Sequence, residues 1–234
     1  MRQLFLLSFL IVISYVPTAY AVDGVIEINQ ACVEFGCFSS DGPGFPITIE
    51  NIGSYRLTSN IVNSNVNINT IEINVTGVTL DLNGFRLAGF NLCGSSTNGG
   101  VVTCSNSGSG IGIDINADNV AVENGHVAGM GDDCISSTGF TNARISNLTI
   151  DQCGSNGIES LTGSRIDNVT ILNSNSFGIN AGFSATLVTN SFINRNGSAG
   201  QFGGVCSNNV YFFNNGNTVC GPLSANSCSS ASSC

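Results

Sequence analysis

The amino-acid sequence predicts an all-β solenoid, a parallel β-helix with about 22 residues in each coil. Three observations predict it. The chain repeats itself between Ile111 and Asn196, the repeat lacks the 3.6-residue apolar stripe of a helix, and each repeat offers three short runs in which apolar and polar residues alternate. A period of about 20–50 residues is typical of solenoids and repeat arrays. Short parallel strands that stack coil on coil bury their apolar residues against neighbouring coils.

Four columns of residues define the repeat. The first apolar column contains Ile113, Ile135, Ile158 and Ile179, and the second contains Val122, Ile145, Ile166 and Val188. The Asn column contains Asn124, Asn147, Asn168 and Asn190, and the third apolar column contains Val127, Ile150, Ile171 and Ile193. The first apolar column and the Asn column advance along the chain by nearly equal steps, so the repeat unit is a whole coil. Asn tolerates the left-handed backbone of a tight turn, and stacked Asn side chains can bond one another from coil to coil. We therefore expect three short parallel sheets and an Asn ladder at one turn.

These columns resemble those of right-handed parallel β-helix proteins of the pectate-lyase-like class, from Ile47 to about Gly216. The resemblance implies a right-handed helix with an Asn ladder. Three further segments, DGVIEINQACV, FPITIENIGSYRLTSNI and VTLDLNGFRLAG, resemble secreted bacterial β-helix proteins of no assigned activity. This second resemblance implies the fold and export, and it leaves the function open.

The segment from Met1 to Ala21 has the features of a secretory signal peptide. Arg2 supplies the positive start, an apolar run extends from Leu4 to Val16, and Ala19-Tyr20-Ala21 is a small-x-small cleavage site. The alternative is a membrane anchor, but the apolar run is shorter than the ~20 residues that a spanning helix needs. We expect a secreted protein, extracellular or periplasmic, with no membrane insertion after cleavage.

The rest of the chain divides into three parts. Residues 22–68 are interpreted as an N-terminal cap, because an open coil would expose its apolar interior and its strand edges. Residues 69–216 are the predicted β-helix, and a disulfide-closed loop at 91–110 projects from it. Residues 217–234 form a tail rich in Cys and Ser.

The charge excludes several classes of partner. The chain has six basic and 15 acidic residues, and loss of Arg2 with the signal peptide leaves a net charge of −10. Nucleic acids and anionic membranes need basic patches, so neither is an expected partner. A polyanionic sugar is also disfavoured unless cations bridge the charges. The expected partner is a polysaccharide or a cell-surface glycan, bound by a monomer.

All ten Cys residues follow the predicted cleavage site, which indicates disulfides in an exported chain. The expected pairs are Cys32–Cys37, Cys93–Cys104, Cys134–Cys153, Cys206–Cys220 and Cys228–Cys234. Cys134 and Cys153 are separated by slightly less than one coil, which allows a bridge between adjacent coils at about 4.8 Å. The alternative, a zinc site, is disfavoured because no Cys-x-x-Cys occurs and the single His sits apart.

Acidic residues provide the candidate chemistry. An outward row follows the first apolar column, with the members Glu72, Asp114, Ser136, Glu159 and Asn180. Asp132, Asp133 and Asp151 lie in the turn that precedes this row. At strand spacing, Asp114 and Glu159 would be roughly 9–10 Å apart, near the upper limit for an inverting glycosidase pair. The candidate catalytic residues are therefore Asp114, Asp132, Asp133 and Glu159, and the alternative is that Asp132, Asp133 and Asp151 bind Ca²⁺.

The segment GDDCIS, residues 131–136, resembles the Asp-Asp-Cys motif of polygalacturonases. That resemblance implies acid and base roles for Asp132 and Asp133. The Asn-Thr-Asp, Gly-His-Gly and Arg-Ile-Lys motifs of those enzymes are missing from this chain. The favoured interpretation is therefore that these acids are solvated residues of a turn beside a structural Cys.

Arg144 and Arg165 precede equivalent interior residues, so they should stack outward in adjacent coils. Surface ion pairs with Glu123 and Asp167 are the simplest expectation for them, and His126 is expected to be a surface residue without a role. Three function classes remain open: a binding protein or scaffold for glycans or surfaces, a polysaccharide hydrolase or lyase, and a structural adhesin-like module. There is no Trp and no aromatic row, and enzyme motifs are incomplete, so the sequence favours a non-catalytic binding or scaffold protein.

Overall fold

The computed structural model describes residues 24–95, 101–137, 139–160, 162–182, 186–202, 205–212, 214, 218–219 and 227–228. Every regular element in these ranges is a β-strand. The strands in the first half of the chain are β1 Val25–Ile28, β2 Ile47–Ile49, β3 Gly53–Leu57, β4 Ile61–Val62, β5 Ile71–Ile73, β6 Val78–Asp81, β7 Arg86–Ala88, β8 Cys93–Ser95, β9 Val102–Cys104, β10 Ile113–Ile115 and β11 Ala121–Ala128. Those in the second half are β12 Ile135–Ser137, β13 Arg144–Asp151, β14 Ile158–Ser160, β15 Arg165–Leu172, β16 Phe177–Gly182, β17 Leu187–Thr189, β18 Phe192–Asn194, β19 Ser198–Phe202, β20 Val205–Ser207, β21 Val210–Phe212, β22 Thr218–Val219 and β23 Ser227–Cys228. A search of the described residues for a helix able to cross a membrane finds none.

Two long parallel sheets contain nearly all of these strands. Sheet A has 13 strands and follows the order β1-β3-β6-β11-β13-β15-β18-β21-β23, with β4, β7, β17 and β20 attached at its side. Sheet B has eight strands in the order β2-β5-β10-β12-β14-β16-β19-β22. The hairpin of β8 and β9 is antiparallel. An all-β chain with two long parallel sheets is consistent with a parallel β-helix.

The structure differs from the sequence prediction in the number of sheets. Three sheets were expected, but the second and third apolar columns lie on the same strands, because β11, β13 and β15 run through the Asn turn without a break. Asn124, Asn147 and Asn168 take left-handed φ values of 60°, 55° and 51° in the middle of these strands. The ladder between the strands continues on both sides of each Asn. The turn therefore bends one sheet rather than separating two.

The apolar columns are the core. Ile71, Ile113, Ile135, Ile158 and Ile179 pair in register along sheet B and are all 0% exposed. The second and third columns are equally buried in sheet A, and their members are Tyr55, Leu80, Val122, Ile145, Ile166, Val188 and Ile61, Leu87, Val127, Ile150, Ile171, Ile193. From Ile113 to Ile179, every pairing joins equivalent positions of adjacent repeats, as the sequence columns predicted. Each repeat thus stacks the same inward positions on the next.

The Asn ladder forms as expected over part of its length. Asn147 Nδ2 donates to Asn124 Oδ1 at 3.2 Å, and Asn168 Nδ2 donates to Asn147 Oδ1 at 2.9 Å. The ladder is then interrupted, because Asn190 Nδ2 donates to Asp167 Oδ1 at 2.8 Å instead. Two more columns of left-handed residues mark the other bends, namely Gly77, Asn119, Asn142, Gly163 and Gly129, Gln152, Asn173, Arg195. The sequence analysis identified only one of the three columns.

Three disulfides join described residues. They are Cys32–Cys37, Cys93–Cys104 and Cys134–Cys153, which are three of the five predicted pairs. Cys206 is also disulfide-bonded, while Cys220 and Cys234, the expected partners of Cys206 and Cys228, lie outside the described residues. Disulfides of this kind are typical of oxidising compartments.

The predicted divisions of the chain can be compared with the strands and the disulfide that the structure describes. The segment 22–68, predicted as a cap, contributes β1 to β4 to the two sheets. The loop predicted at 91–110 contains the hairpin of β8 and β9 and its disulfide. The predicted signal peptide, residues 1–21, and most of the tail at 217–234 lie outside the described residues.

The stacked core generates one prediction about stability. Ile166 is 0% exposed between Ile145 and Val188, so Ile166→Asp would bury a charge without a partner. We expect the free energy of unfolding to fall by at least about 3 kcal/mol, measured by denaturant unfolding. Thr170→Asp on the outward side of the same strand is the matched control and should cost less than about 1 kcal/mol. Equal losses in the two variants would contradict the assignment of inward positions.

Candidate functional site

The predicted outward row lies on sheet B. Thr48, Glu72, Asp114, Ser136, Glu159 and Asn180 are successive partners in neighbouring parallel strands. Strand alternation places these residues opposite the buried isoleucines, because each of them directly follows one. Asp114 and Glu159 are thus separated by two strand spacings, with Ser136 between them. The register brings together the row that the sequence pattern indicated.

Asparagine amides fix the first pair of carboxylates in this row. Asn69 Nδ2 donates to Glu72 Oε1 at 3.0 Å and to Asp114 Oδ2 at 3.1 Å. Asn116 Nδ2 donates to the same Asp114 Oδ2 at 3.3 Å, and it also donates to Asn74 Oδ1 at 3.1 Å. One amide therefore holds two carboxylates from adjacent strands, and their side chains have little freedom to turn.

A second group forms around Asn156. Its Nδ2 donates to Glu159 Oε2 at 2.6 Å, its backbone N–H donates to Asp133 Oδ1 at 2.8 Å, and its Oδ1 accepts from Phe177 N at 3.1 Å. Asn180 Nδ2 adds a bond to Glu159 Oε2 at 3.3 Å. Asn156 is only 6% exposed. It connects the turn that carries Asp133 to the strand that carries Glu159.

The turn before β12 is fixed from both sides. Gly112 N donates to the Asp133 carbonyl at 3.1 Å, and Ser155 N donates to the Asp132 carbonyl at 3.1 Å. The next residue, Cys134, is tied to the following turn by its disulfide with Cys153. Asp132 and Asp133 therefore have defined positions next to Glu159.

The electrostatics of the site are set by burial and by neighbouring carboxylates. Burial, the largest cause, together with the charges of Asp132 and Glu159, raises the pKa of Asp133 to about 6, against hydrogen bonds that lower it. Burial also raises the pKa of Glu159, with a further contribution from Asp132. Burial raises the pKa of Asp114, and the charge of Glu72 also raises it. Asp132, Asp133 and Glu159 thus form one acidic group, and Glu72 and Asp114 form another.

Asp151 belongs to neither group. It lines a small cavity on the outer face of sheet A together with Arg86, His126 and Thr149, and its carboxylate accepts a bond from Asn173 Nδ2 at 2.9 Å. Its neighbours therefore differ from those of Asp132 and Asp133, and Ca²⁺ binding by the three carboxylates, which the sequence raised as an alternative, stays a prediction. No group of three or more His, Cys, Asp or Glu residues that could hold a metal ion occurs in the described part of the chain.

The expected ion pairs of Arg144 and Arg165 are also not formed. The two arginines are direct partners in β13 and β15, and both are exposed. Asp167 Oδ1 instead accepts bonds from Thr189 Oγ1 at 2.5 Å and Asn190 Nδ2 at 2.8 Å. Within the described ranges, the salt bridge present is Arg56 to Asp81 at 3.3 Å.

The amides of Asn69 and Asn156 are the functional residues that sequence reasoning missed. A signal for them exists, because NTIE at 69–72 and NGIE at 156–159 repeat the same Asn-x-x-Glu spacing before and within sheet B. In both copies the Asn side chain bonds the Glu that follows it by three residues. The sequence analysis aligned apolar columns and did not compare the polar residues between them.

Comparison with known proteins identifies no family for this chain. No protein-family model matches it, and neither a curated protein nor a solved structure matches it. The chemistry of the site therefore follows from its own geometry. The carboxylates of this face and the asparagine amides bonded to them provide acceptors and donors in fixed positions, and such groups can bond hydroxyl groups.

The raised pKa of Asp133 predicts a pH-dependent stability. Because the folded pKa of about 6 lies above the unfolded value of about 3.9, the folded state holds this proton more tightly, and the gain present below about pH 4 is lost as the pH rises through about 6. Asp133→Asn keeps an acceptor for the Asn156 N–H. Between about pH 4 and about pH 7, the wild type should lose about 2 kcal/mol of unfolding free energy relative to this variant. Denaturant unfolding across that range measures the difference.

Asp118 offers a control with the opposite sign. Hydrogen bonds from the Thr141 N–H and hydroxyl lower the pKa of this exposed carboxyl, so its stabilisation is present above the unfolded pKa and is lost as the pH falls. Relative to Asp118→Asn, the wild type should therefore gain stability as the pH rises. Parallel pH profiles for the wild type and Asp133→Asn would contradict the raised pKa of Asp133.

Proposed function

We propose that this chain is an exported right-handed parallel β-helix protein that binds an uncharged glycan on the outer face of sheet B without cleaving it. The observation that carries the proposal is the row Glu72, Asp114, Ser136 and Glu159, which is in register on adjacent strands and whose three carboxylates are bonded to asparagine amides. The disulfides favour export into an oxidising compartment. The sequence resemblance supports the handedness of the helix.

The spacing of the row suits a linear, hydroxylated chain. Neighbouring parallel strands lie about 4.8 Å apart, so a glycan lying across the strands would meet the half-buried carboxylates of Glu72, Asp114 and Glu159, while Ser136 between them is buried. An ionised carboxylate has about four acceptor positions, and the amides of Asn69 and Asn156 occupy only some of them. Acceptors for sugar hydroxyls therefore remain. Because these side chains are already held by hydrogen bonds, binding costs them little rotational entropy.

The charge of this face selects for a neutral ligand. Glu72, Asp114, Asp132 and Glu159 lie along it, and its row includes no Arg or His. A polyanionic chain would meet like charges and would be repelled. The row also lacks an aromatic platform, so affinity must come from hydrogen bonds, and we expect binding to be weak and to depend on several sites together.

Removing single acceptors should show this binding. Glu159→Gln and Asp114→Asn keep the side-chain shape and remove the charge, and each should weaken binding at least about tenfold, because hydrogen bonds to charged groups contribute about 1.5–3 kcal/mol. A panel of neutral linear oligosaccharides identifies the ligand, and calorimetry measures the affinity. Asp167→Asn on sheet A removes the same charge away from the row and should leave affinity unchanged. Equal weakening by Asp167→Asn, or no binding to any neutral glycan, would contradict the proposal.

A polysaccharide hydrolase is the second candidate, and one observation favours it. Asp133, with its pKa raised to about 6, lies near Asp132 and Glu159, and a carboxyl with a raised pKa beside other carboxylates is an arrangement that acid and base pairs use. Asp133 is only 7% exposed, however, and its Oδ1 is bonded to the Asn156 N–H. Access for a glycosidic oxygen is therefore poor, and binding without cleavage is the better conclusion.

A cleavage assay separates the two candidates. Purified protein is incubated with neutral glycans, polygalacturonate and alginate, with and without Ca²⁺, and new reducing ends and unsaturated products are measured. We expect neither product from the wild type. Reducing ends that fall by about 100-fold or more in Asp132→Asn, but not in Asp118→Asn, would establish a hydrolase and overturn the non-catalytic proposal.

A further inference from the structure

We propose that a groove on the outer face of sheet A, lined by Asn142, Arg144, Gly163, Arg165 and Leu187, binds a single oxyanion, a sulfate or carboxylate group carried by a hydroxylated molecule. Ser164 completes the lining, and the cavity measures about 360 Å³. The site is separate from the row on sheet B and does not depend on the function proposed for that row.

The two arginines are the first reason. Arg144 and Arg165 are directly opposite each other in adjacent parallel strands, in an outward row between Ala121 and Leu187. Like charges in this position repel and destabilise a sheet. Across the described ranges, neither guanidinium forms a salt bridge with an acidic side chain, whereas Arg56 on the same sheet is paired with Asp81. An oxyanion between the two guanidinium groups would offset the repulsion and accept charge-assisted hydrogen bonds from both.

The second reason is a gap in a ladder of turn residues. Asn119, Asn142 and Gly163 occupy the same left-handed turn position in successive repeats, with φ values of 58°, 60° and 70°. Asn142 Nδ2 donates to Asn119 Oδ1 at 2.5 Å. Gly163 has no side-chain amide that could donate to Asn142 in the same way. A Cβ at Gly163 would meet nothing closer than the Asn142 nitrogen at 4.0 Å, so the groove is open where the next Asn would stand.

These groups define the chemistry of the ligand. The guanidinium forks bind the anionic group, the Asn142 amide oxygen can accept a hydroxyl, and the half-buried Leu187 supplies an apolar wall. The cavity falls within the range of about 300–1,000 Å³ that small-ligand sites occupy. Sulfated and carboxylated sugars both carry an oxyanion next to hydroxyl groups, and they share the features that this groove recognises.

The surrounding charge limits the ligand to one anionic group. Asp167 follows Arg165 by two residues on the same face of β15, and Glu123 is in the same outward row as Asp167. The chain as a whole has a formal net charge of −9. A long polyanion would be repelled beyond the two arginines, whereas a single charged sugar would meet only the guanidinium groups.

Calorimetry on the purified protein at low ionic strength tests the site, with glucose 6-sulfate, glucuronate and glucose as probes. At least one charged sugar should bind and glucose should not. Arg144→Gln and Arg165→Gln should each weaken binding at least about tenfold. Arg56→Gln removes the same charge from the same sheet and should change affinity less than about twofold. The better of the two charged probes identifies sulfate or carboxylate as the natural group.

Gly163→Asn tests the position of the site without touching a charge. Asn tolerates a left-handed φ, so the variant should fold, extend the ladder and keep its melting temperature, while it fills the groove and abolishes binding. Binding that survives in Gly163→Asn with an unchanged melting temperature would overturn the proposal. So would equal weakening by Arg56→Gln and Arg144→Gln, or failure of both charged sugars to bind the wild type. If Gly163→Asn unfolds, the surface arginine variants decide.

Discussion

The in-register pairing of parallel strands from one repeat to the next is the constraint on which the rest of this structure depends. Side chains alternate along a strand, so a slip of one residue would turn every buried isoleucine outward. The residues of the columns through Ile113 and Val122 are at most 1% exposed, and that burial holds the register. Once the inner columns are fixed, the outer positions must also align. Glu72 beside Asp114, and Arg144 beside Arg165, are therefore consequences of core packing.

The aligned outer rows give the two faces different electrostatic properties. Sheet B carries carboxylates that asparagine amides hold in place, and burial raises the pKa of several of them. Sheet A carries two arginines without an acidic partner among the described residues. Stacking places each outward residue about 4.8 Å from the residue at the equivalent position of the next repeat. Glu72 and Asp114 are neighbours for this reason, as are Arg144 and Arg165.

Much of this could be predicted from the sequence, and the failures have physical causes. The apolar columns, the outward row and three disulfides depend on short-range periodicity and spacing, which the residues show directly. Asp151 lies at the end of β13 and lines a cavity with Arg86, outside the acidic group around Asp133, and periodicity alone does not indicate this separation. The expected ion pairs failed because Asp167 is bonded by Thr189 and Asn190. Such choices between competing partners depend on side-chain rotamers, which periodicity does not determine. The prediction of a third sheet was wrong because the bend at each Asn does not interrupt the strand ladder.

The places where the stack departs from its most stable arrangement coincide with the proposed sites. An Asn at position 163 would continue the ladder from Asn142, yet Gly stands there beside two arginines that repel each other. On the other face, Asp133 is nearly buried next to two further carboxylates, and this raises its pKa at a cost to the ionised fold. Proteins commonly sacrifice stability where function requires it. In a repeat fold such a loss of stability can be recognised, because the equivalent positions of neighbouring repeats show what the stabilising residue would be. In this chain, Asn119 and Asn142 show it for the groove, and the proposed oxyanion site lies where their ladder ends at Gly163.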